Sequence, residues 1–195
     1  MAVKPKYEVD MAQDENEMRQ FIELLQREQI TSYIEIGARY GASLWRIANS
    51  MPKGATIVAV DLPTGWGGRS DGQAVLEACF AELRARGYKA HMILGNSLLS
   101  ETVEKARQFA PYDCVFIDGH HSLAAVTADW MNYGPMGRIV AFHDIAWQRK
   151  LNWHPTRMRL EVPILWNRIK ERFRHQEIKC HPTGQDNGVG ILWRD

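Results

Sequence analysis

The stretch YIEIGARYGASL, residues 33–44, joins an apolar strand to a helix through a glycine turn. The strand is predicted over residues 32–36 and the helix over residues 42–50, and the turn between them runs from Gly37 to Gly41. Glycine suits such a turn because it adopts backbone conformations that other residues reach only with strain. A strand that passes through a short turn into a helix is the unit from which parallel α/β sheets are built.

The alternation of strand and helix continues along the chain. Further strands are predicted at residues 55–60, 89–94, 113–117 and 138–142, with predicted helices between them. Their sequences are unbroken apolar runs such as TIVAV, DCVFI and RIVAF, which are typical of strands buried on both faces. This pattern predicts an α/β fold with a mainly parallel sheet covered by helices on both faces.

Both ends of the chain differ from this pattern. Apolar residues at helical spacing from Met18 to Leu25, after the capping residue Asp14, predict a helix in an N-terminal extension over residues 1–30. Residues 177–181 and 188–193 look like strands with no helix between them, so we expect an antiparallel hairpin at one sheet edge. The segment 144–161 is long for a plain connection and favours a lid or binding loop.

Length and composition fit one domain over residues 1–195. With 45% hydrophobic residues, the chain can fill a single core, and its net charge of +1 argues against a nucleic-acid binder. The 3 cysteines lie far apart, which fits a reducing compartment, and no apolar run is long enough to span a membrane. We therefore expect a cytoplasmic protein with neither a nucleic-acid nor a membrane partner, and we leave a homodimer open.

Polar residues end every predicted parallel strand. They are Glu35, Asp61, Asn96 with Ser97, Asp118, and His143 with Asp144. In an open parallel sheet, ligands bind at the carboxyl ends of the strands, because the turns and helix N-termini converge there. The sequence therefore predicts one polar ligand site along this edge of the sheet.

The glycine turn allows two interpretations. Gly37 and Gly41 could simply close a tight turn, or they could let the backbone approach a ligand while Asp61 binds ribose hydroxyls. Arg39 replaces the middle glycine of the G-x-G-x-x-G pattern, which argues against a nicotinamide dinucleotide. Glu35 favours a ligand with an ammonium group, because a buried carboxylate needs a partner.

The motifs YIEIGARYGASL, AVDLP, GNSL, YDCVFIDGHHS and GRIVAFHDI, at these intervals, resemble the class I S-adenosylmethionine-dependent methyltransferases. Within that class the chain is most similar to the small O-methyltransferase-like group, which includes cephalosporin-hydroxylase-type and catechol-type enzymes. The resemblance covers residues 32–193. It implies a three-layer Rossmann-like fold with a seven-stranded, mostly parallel sheet and an antiparallel C-terminal strand. It also implies an enzyme that uses S-adenosylmethionine.

The resemblance further implies roles for individual residues. Glu35, Gly37 and Gly41 would surround the amino-acid part of the cofactor, Asp61 would hold the ribose hydroxyls, Asn96 and Ser97 would lie by the adenine, and Asp118 would border the methionine part and the substrate. The family usually has an acid at the position of Asn96, so the chain departs from the pattern there.

Methyl transfer to a hydroxyl group requires a base or a metal ion that removes the acceptor's proton. His121 and His143 follow two strands and titrate near neutral pH, so both are candidate catalytic residues together with Asp144. Alternatively, Asp118 and Asp144 could bind Mg²⁺ and lower the pKa of the hydroxyl. In metal-dependent relatives a carboxylate or amide usually completes the set, and His143 in that place is a poorer Mg²⁺ ligand.

Basic residues concentrate late in the chain, where residues 145–175 contain 8 basic and 2 acidic side chains. Those in the predicted lid segment are Arg149, Lys150, Arg157 and Arg159. They predict a small, anionic acceptor molecule. Two other functions stay open at this point: a nicotinamide-dependent oxidoreductase, and a non-catalytic module that binds a nucleotide cofactor.

Overall fold

The computed structural model describes residues 13–63, 71–146, 160–180 and 187–194. The helices are α1 (Glu15–Arg27), α2 (Ala42–Ser50), α3 (Asp71–Ala85), α4 (Ser100–Arg107), α5 (Leu123–Tyr133) and α6 (Val162–Ile169). The strands are β1 (Ser32–Ile36), β2 (Thr56–Asp61), β3 (Lys89–Leu94), β4 (Tyr112–Ile117), β5 (Gly137–His143), β6 (Arg174–Ile178) and β7 (Val189–Trp193). Short 3₁₀ helices, Gly134–Met136 and Lys170–Arg172, directly follow α5 and α6.

The strands form one seven-stranded sheet in the order β3-β2-β1-β4-β5-β7-β6. Strands β1 to β5 pair in parallel, whereas β7 is antiparallel to both of its neighbours, β5 and β6. The predicted α/β fold, with a mostly parallel sheet and an antiparallel C-terminal strand, is confirmed.

Strand β6 begins at Arg174, whereas the sequence pattern placed its start at residue 177. It is an edge strand that pairs only with β7, and its first three residues are exposed and polar. Such a strand has no apolar run to mark it, because neither face of its first half is buried. The predicted start was therefore wrong by the length of this polar segment.

Alternating strand residues divide the core into two layers. On one face, Tyr33, Ile57 and Phe116 contact buried residues of α1, α2 and α3. On the other face, Ile34 and Val115, among others, contact buried residues of α4, α5 and α6. Every central strand is thus covered on both sides, which is why its sequence is continuously apolar. The three-layer arrangement agrees with the Rossmann-like architecture that the resemblance implied.

Helix α1, which the sequence placed in an N-terminal extension, packs directly on the sheet. The ring of Phe21 is fully buried, and its centroid lies 5.2 Å from that of Phe116 in β4. Burial of such a side chain contributes about 1.5–3 kcal/mol to folding. At the start of the helix, the side chain of Asp14 accepts hydrogen bonds from the first-turn backbone. The helix therefore has a fixed start beside the central strands.

No helix within the described ranges is long and apolar enough to cross a membrane. The predicted lid over residues 144–161 is described only at its two ends, and Arg149, Lys150, Arg157 and Arg159 lie outside the described residues. The role of this segment and the cytoplasmic location stay predictions.

Candidate active site

The carboxyl ends of β1, β4 and β5 lie side by side. Ile36 pairs with Ile117, and Ile117 pairs with Phe142. Asp118 and His143 are the next residues along β4 and β5, so they start from neighbouring positions at this edge. The register of the sheet therefore brings the polar ends of separate strands together.

Gly37 lets the loop after β1 approach the loop after β4. Its φ is +91°, and a Cβ at this position would lie 2.4 Å from the carbonyl oxygen of Asp118 and 2.6 Å from Cα of Gly119. The backbone N–H of Asp118 also donates to the carbonyl of Ile36 over 2.9 Å. The sequence predicted that another group approaches the backbone closely at Gly37, and the structure shows that the loop after β4 makes this approach. Gly41, with φ +79°, is the N-cap of α2.

The carboxylate of Asp61, at the end of β2, holds the glycine turn. It accepts hydrogen bonds from the backbone N–H of Arg39 and, over 2.7 Å, from that of Leu62. Burial raises the pKa of Asp61, although these hydrogen bonds oppose the shift. A carboxylate can accept about four hydrogen bonds, so capacity remains for ribose hydroxyls. That contact stays a prediction.

The carboxyl group of Glu35 is fully buried. The hydroxyl of Tyr33 donates to Oε2 over 2.8 Å, and the hydroxyl of Ser43 donates to Oε1. Burial raises the pKa of Glu35 to about 8, although both hydrogen bonds lower it. Neighbouring hydroxyls therefore supply the partners that a buried carboxyl needs. The contact with the cofactor's ammonium group stays a prediction.

Asn96 and Ser97 form part of the turn after β3. Oδ1 of Asn96 accepts a hydrogen bond from the backbone N–H of Leu98 over 3.0 Å. The carbonyl of Ser97 accepts from the hydroxyl of Tyr133, in α5, over 2.9 Å. The turn is thereby fixed against α5, with Asn96 exposed. The place of the adenine beside it stays a prediction.

Two acids and two histidines meet at the ends of β4 and β5; we call them the catalytic cluster. His143 Nδ1 lies 3.2 Å from Oδ1 of Asp118 and 3.3 Å from Oδ1 of Asp144. His121 Nε2 lies 3.3 Å from Oδ2 of Asp144 and 3.6 Å from Oδ1 of Asp118. The structure therefore brings together the three predicted catalytic residues and both predicted Mg²⁺ ligands.

Charges in the catalytic cluster shift one another's pKa. Burial lowers the pKa of His143, but Asp118 and Asp144 outweigh it and raise the pKa to about 9. Burial likewise lowers the pKa of His121, yet the same two carboxylates leave it raised. Burial would raise the pKa of Asp118, but the positive charge of His143 holds it below its usual range. For Asp144 burial prevails, and its pKa is raised.

Several polar atoms of the catalytic cluster have no hydrogen-bond partner among the described residues. They are Nε2 of His143, Oδ1 of Asp144 and both ring nitrogens of His121, and all are buried. The donor atoms of Asp118, His143 and Asp144 lie within 4.8 Å of one another. Nε2 of His121 and Oδ1 of Asp144 each lie 3.3 Å from a charged atom of the cluster, so they have ion-pair partners. Nε2 of His143 and Nδ1 of His121 have no such partner among the described residues, and because buried polar atoms are nearly always satisfied, these two atoms favour a bound ligand. Asp118, His143 and Asp144 can hold a metal ion.

The start of α1 and the residue that precedes its N-cap contribute to the site in a way that the sequence did not reveal. Gln13 Nε2 donates a hydrogen bond to Oδ2 of Asp118 over 2.7 Å. Oε1 of the buried Glu17 accepts from the backbone N–H of Gly188 over 3.0 Å, and its charge helps to raise the pKa of His143. No motif marks Gln13. Glu17 stands three residues after Asp14, where the sequence predicts only a helix-capping role, so neither residue is marked as part of the site.

Glu161, at the start of α6, fixes the loop that carries His121. Its backbone N–H donates to the carbonyl of His121 over 2.8 Å, and its carboxylate accepts from the backbone N–H of Leu123 over 2.8 Å. The side chain of Ser122 caps α5 from the same loop. Of these contacts, only the N-cap of α5 could be predicted from the sequence, because Ser122 has the hydroxyl that an N-cap requires.

Comparison with known proteins yields a family and a fold. The sequence model of a family described as "Methyltransferase domain" matches residues 34–145, which is more than half of the chain. No curated protein sequence matches the chain. The matched range begins in β1 and ends just after the catalytic cluster.

Several solved structures share the fold. A putative caffeoyl-CoA O-methyltransferase from Staphylococcus aureus is 15% identical, with a TM-score of 0.66 over 96% of this chain and 86% of that one. The O-methyltransferase TomG from Streptomyces achromogenes, in complex with S-adenosylmethionine, is 17% identical, with a TM-score of 0.68 over 95% and 83%. An O-methyltransferase from Bacillus cereus, in complex with S-adenosylhomocysteine, is 13% identical, with a TM-score of 0.67 over 97% and 84%.

Proposed function

The chain belongs to the methyltransferase-domain family, and on that basis we propose that it transfers a methyl group from S-adenosylmethionine to a hydroxyl group of a small, anionic molecule. The observation that carries this proposal is the catalytic cluster. It places two imidazoles between two carboxylates at the edge of the sheet where ligands bind. Solved structures of the same fold, two of them complexes with S-adenosylmethionine or S-adenosylhomocysteine, support the choice of cofactor.

The cofactor would lie along the carboxyl ends of β1, β2, β3 and β4. The residues proposed to surround it are Glu35, Gly37, Gly41, Asp61, Asn96, Ser97 and Asp118. Gly37 supports this arrangement by packing the first loop against the Asp118 loop, and Asp61 supports it by fixing the glycine turn. S-adenosylmethionine supplies, when bound, a methyl group activated by a sulfonium sulfur.

His121 is the proposed general base. Transfer forms a bond between the acceptor oxygen and the methyl carbon, breaks the carbon–sulfur bond with its electron pair left on sulfur, and releases the hydroxyl proton. The side chain of His121 is 19% exposed against 5% for His143, so His121 is the more accessible of the two histidines. Asp118 and Asp144 contact its Nε2, so Nδ1 would accept the proton, and the two carboxylates would stabilise the imidazolium that forms. Because the same carboxylates raise the pKa of His121, the neutral form that acts as a base becomes more populated as the pH rises.

A divalent cation fits the same residues. Asp118, His143 and Asp144 offer donor atoms within 4.8 Å of one another, and the buried Oδ1 of Asp144 forms no hydrogen bond with the described residues. Bound there, a cation would lower the pKa of the acceptor hydroxyl by coordinating its oxygen. Mg²⁺ is the ion that the two carboxylates predict from the sequence, but the nitrogen ligand makes it a poor fit to this set.

The anionic nature of the acceptor rests on the sequence alone. Arg149, Lys150, Arg157 and Arg159 follow the catalytic cluster along the chain, although they lie outside the described residues. A cluster of positive charge near a site raises the local concentration of anionic molecules. We expect the double variant Arg157→Glu, Arg159→Glu to raise the KM for a carboxylated acceptor. An unchanged KM would refute the anionic class without affecting the methyl-transfer proposal.

Calorimetric titration with S-adenosylmethionine and with NAD tests the cofactor. We expect S-adenosylmethionine to bind and NAD not to bind. Asp61→Asn should weaken S-adenosylmethionine binding about 10- to 100-fold, because a charge-assisted hydrogen bond contributes about 1.5–3 kcal/mol. Glu77→Gln, the same change of charge at an exposed site on α3, should have no effect. Binding of NAD without binding of S-adenosylmethionine would instead indicate the oxidoreductase.

A further inference from the structure

We propose that the catalytic cluster binds a divalent transition-metal ion of the Co²⁺ or Zn²⁺ class in preference to Mg²⁺, with His143 as its nitrogen ligand and Asp118 and Asp144 as its oxygen ligands. This inference rests on the proposed function for its biological meaning. It can be tested separately, because ion binding is measurable without any methyl acceptor.

The spacing of the donor atoms already suits a coordination sphere. Ligands at about 2.0–2.2 Å from an ion and at right angles to each other lie about 3 Å apart. Nδ1 of His143 is 3.2 Å from Oδ1 of Asp118 and 3.3 Å from Oδ1 of Asp144. The three side chains therefore need little movement to share one ion. Two carboxylates would also neutralise the charge of a dication in a buried site.

The nitrogen ligand decides the class of ion. Mg²⁺ and Ca²⁺ are hard ions that take oxygen ligands, and Mn²⁺ shares this preference, whereas imidazole suits the later transition metals up to Zn²⁺. His143 is 5% exposed, and its ring meets Phe116 edge-on at 6.2 Å between centroids. Because the ring is enclosed, it cannot easily turn aside and let a water molecule take its place. An ion that enters the set must therefore accept a nitrogen donor.

The surroundings of the set hold its ligands in place. Gln13 donates to Oδ2 of Asp118, which leaves Oδ1 facing His143. Asp144 has φ +63°, a left-handed conformation that aspartate tolerates better than most residues. Hydrogen bonds that orient metal ligands are a regular feature of metal sites. His121 contacts the other oxygen of Asp144, Oδ2, so it can act as a base beside the ion.

Competition between ions tests the proposal on the full-length wild-type protein. Metal-stripped protein is dialysed against equimolar Mg²⁺, Mn²⁺, Co²⁺ and Zn²⁺, and the metal bound per chain is measured by mass spectrometry. We expect about one transition-metal ion per chain and an affinity for Co²⁺ at least about 10-fold above that for Mg²⁺. The Co²⁺ form should show a visible absorption band that is altered in His143→Asn.

Two controls separate this site from adventitious binding. His120→Asn removes an adjacent, exposed histidine that lies outside the set, and it should retain the ion. His143→Asn should lose the preference for transition metals. If this variant does not fold, the competition between ions on the wild-type protein tests the proposal by itself. Equal or tighter binding of Mg²⁺, no bound ion, or retention of the preference in a folded His143→Asn variant would overturn the proposal. Binding of S-adenosylmethionine to the metal-stripped protein would show that the cofactor proposal holds even if the ion proposal fails.

Discussion

His121 accepts the acceptor's proton in the proposed reaction, so its substitution should separate chemistry from binding. We predict that His121→Asn lowers the rate of methyl transfer about 10²- to 10⁴-fold, the usual contribution of a general base. The affinity for S-adenosylmethionine should change less than about twofold, since His121 itself is not one of the proposed cofactor contacts. Single-turnover kinetics and calorimetry measure the two quantities. A folded His121→Asn variant with the wild-type rate would exclude this residue as the base.

Gln13 is predicted to act as a positioning residue through its hydrogen bond to Asp118. Gln13→Ala should lower kcat and ion affinity about 10- to 100-fold, as loss of a partner that orients a metal ligand usually does. Gln13→Glu should lower kcat of the metal-free protein further than Gln13→Ala does, because it places a second carboxylate beside that of Asp118. Gln20→Ala, which changes an exposed glutamine of α1, is the matched control. Equal behaviour of the two alanine variants in ion binding would disprove the role.

Glu35 should make the protein less stable as the pH rises. Its pKa is about 8 in the folded chain, against 4.5 as the ordinary value, because burial favours the neutral form. The folded state therefore keeps a proton that the unfolded state has lost, and this contribution is complete below pH 4.5 and disappears as the pH approaches 8. Each pH unit in that window costs roughly 1 kcal/mol.

Glu35→Gln removes this dependence while keeping a hydrogen-bonding side chain. We expect its Tm relative to wild type to increase by about 2–4 °C per pH unit between pH 5 and pH 8. Thermal unfolding at several pH values checks the prediction. A constant difference in Tm would mean that the carboxyl group is ionised throughout the range.

In the turn after β1, the position of Gly37 has no room for a side chain, because a Cβ there would lie 2.4 Å from the carbonyl oxygen of Asp118. Gly37 and Gly54 both have positive φ, at +91° and +83°, but a Cβ at Gly54 would meet nothing within 4 Å. Gly54→Ala should therefore cost about 1–2 kcal/mol from backbone strain alone. Gly37→Ala should cost more and should also weaken S-adenosylmethionine binding, because the added Cβ displaces the Asp118 loop.

Denaturant unfolding and calorimetry on both alanine variants test this prediction. Similar stability and similar cofactor affinity would show that the contact between the two loops tolerates a methyl group.

The central elements could be predicted from sequence because each strand between two helical layers is apolar throughout. Strand β6 could not be placed correctly, since an edge strand with polar residues lacks that signal. The hydroxyl of Ser100 likewise predicts an N-cap before a helix that begins at Glu101. In the structure Ser100 is instead the first residue of α4, and Leu99 is the N-cap without a side-chain hydrogen bond. The preference of a single residue for the N-cap therefore does not fix the first residue of a helix to better than one or two positions.

In the molecule as a whole, the residues that end the strands could be predicted as a group, because a parallel sheet places all of its carboxyl ends at one edge. The contact between Gln13 and Asp118 could not, because 105 positions separate them and it depends on how α1 packs against the sheet. Glu161 reaches the His121 loop from α6 in the same way. Motifs identify residues on the strands, whereas packing decides which side chains from the outer helices support them.

Methyl transfer itself is the most direct test of the proposed enzyme, because binding of S-adenosylmethionine alone would also fit a non-catalytic module. Wild-type protein, loaded with Co²⁺, is incubated with methyl-labelled S-adenosylmethionine and a panel of carboxylated and phosphorylated hydroxyl compounds. We expect label in the product of at least one acceptor, with S-adenosylhomocysteine formed in equal amount, and a strong decrease in His121→Asn. Tight binding of S-adenosylmethionine with no transfer to any hydroxyl acceptor, with or without metal, would contradict the proposed function.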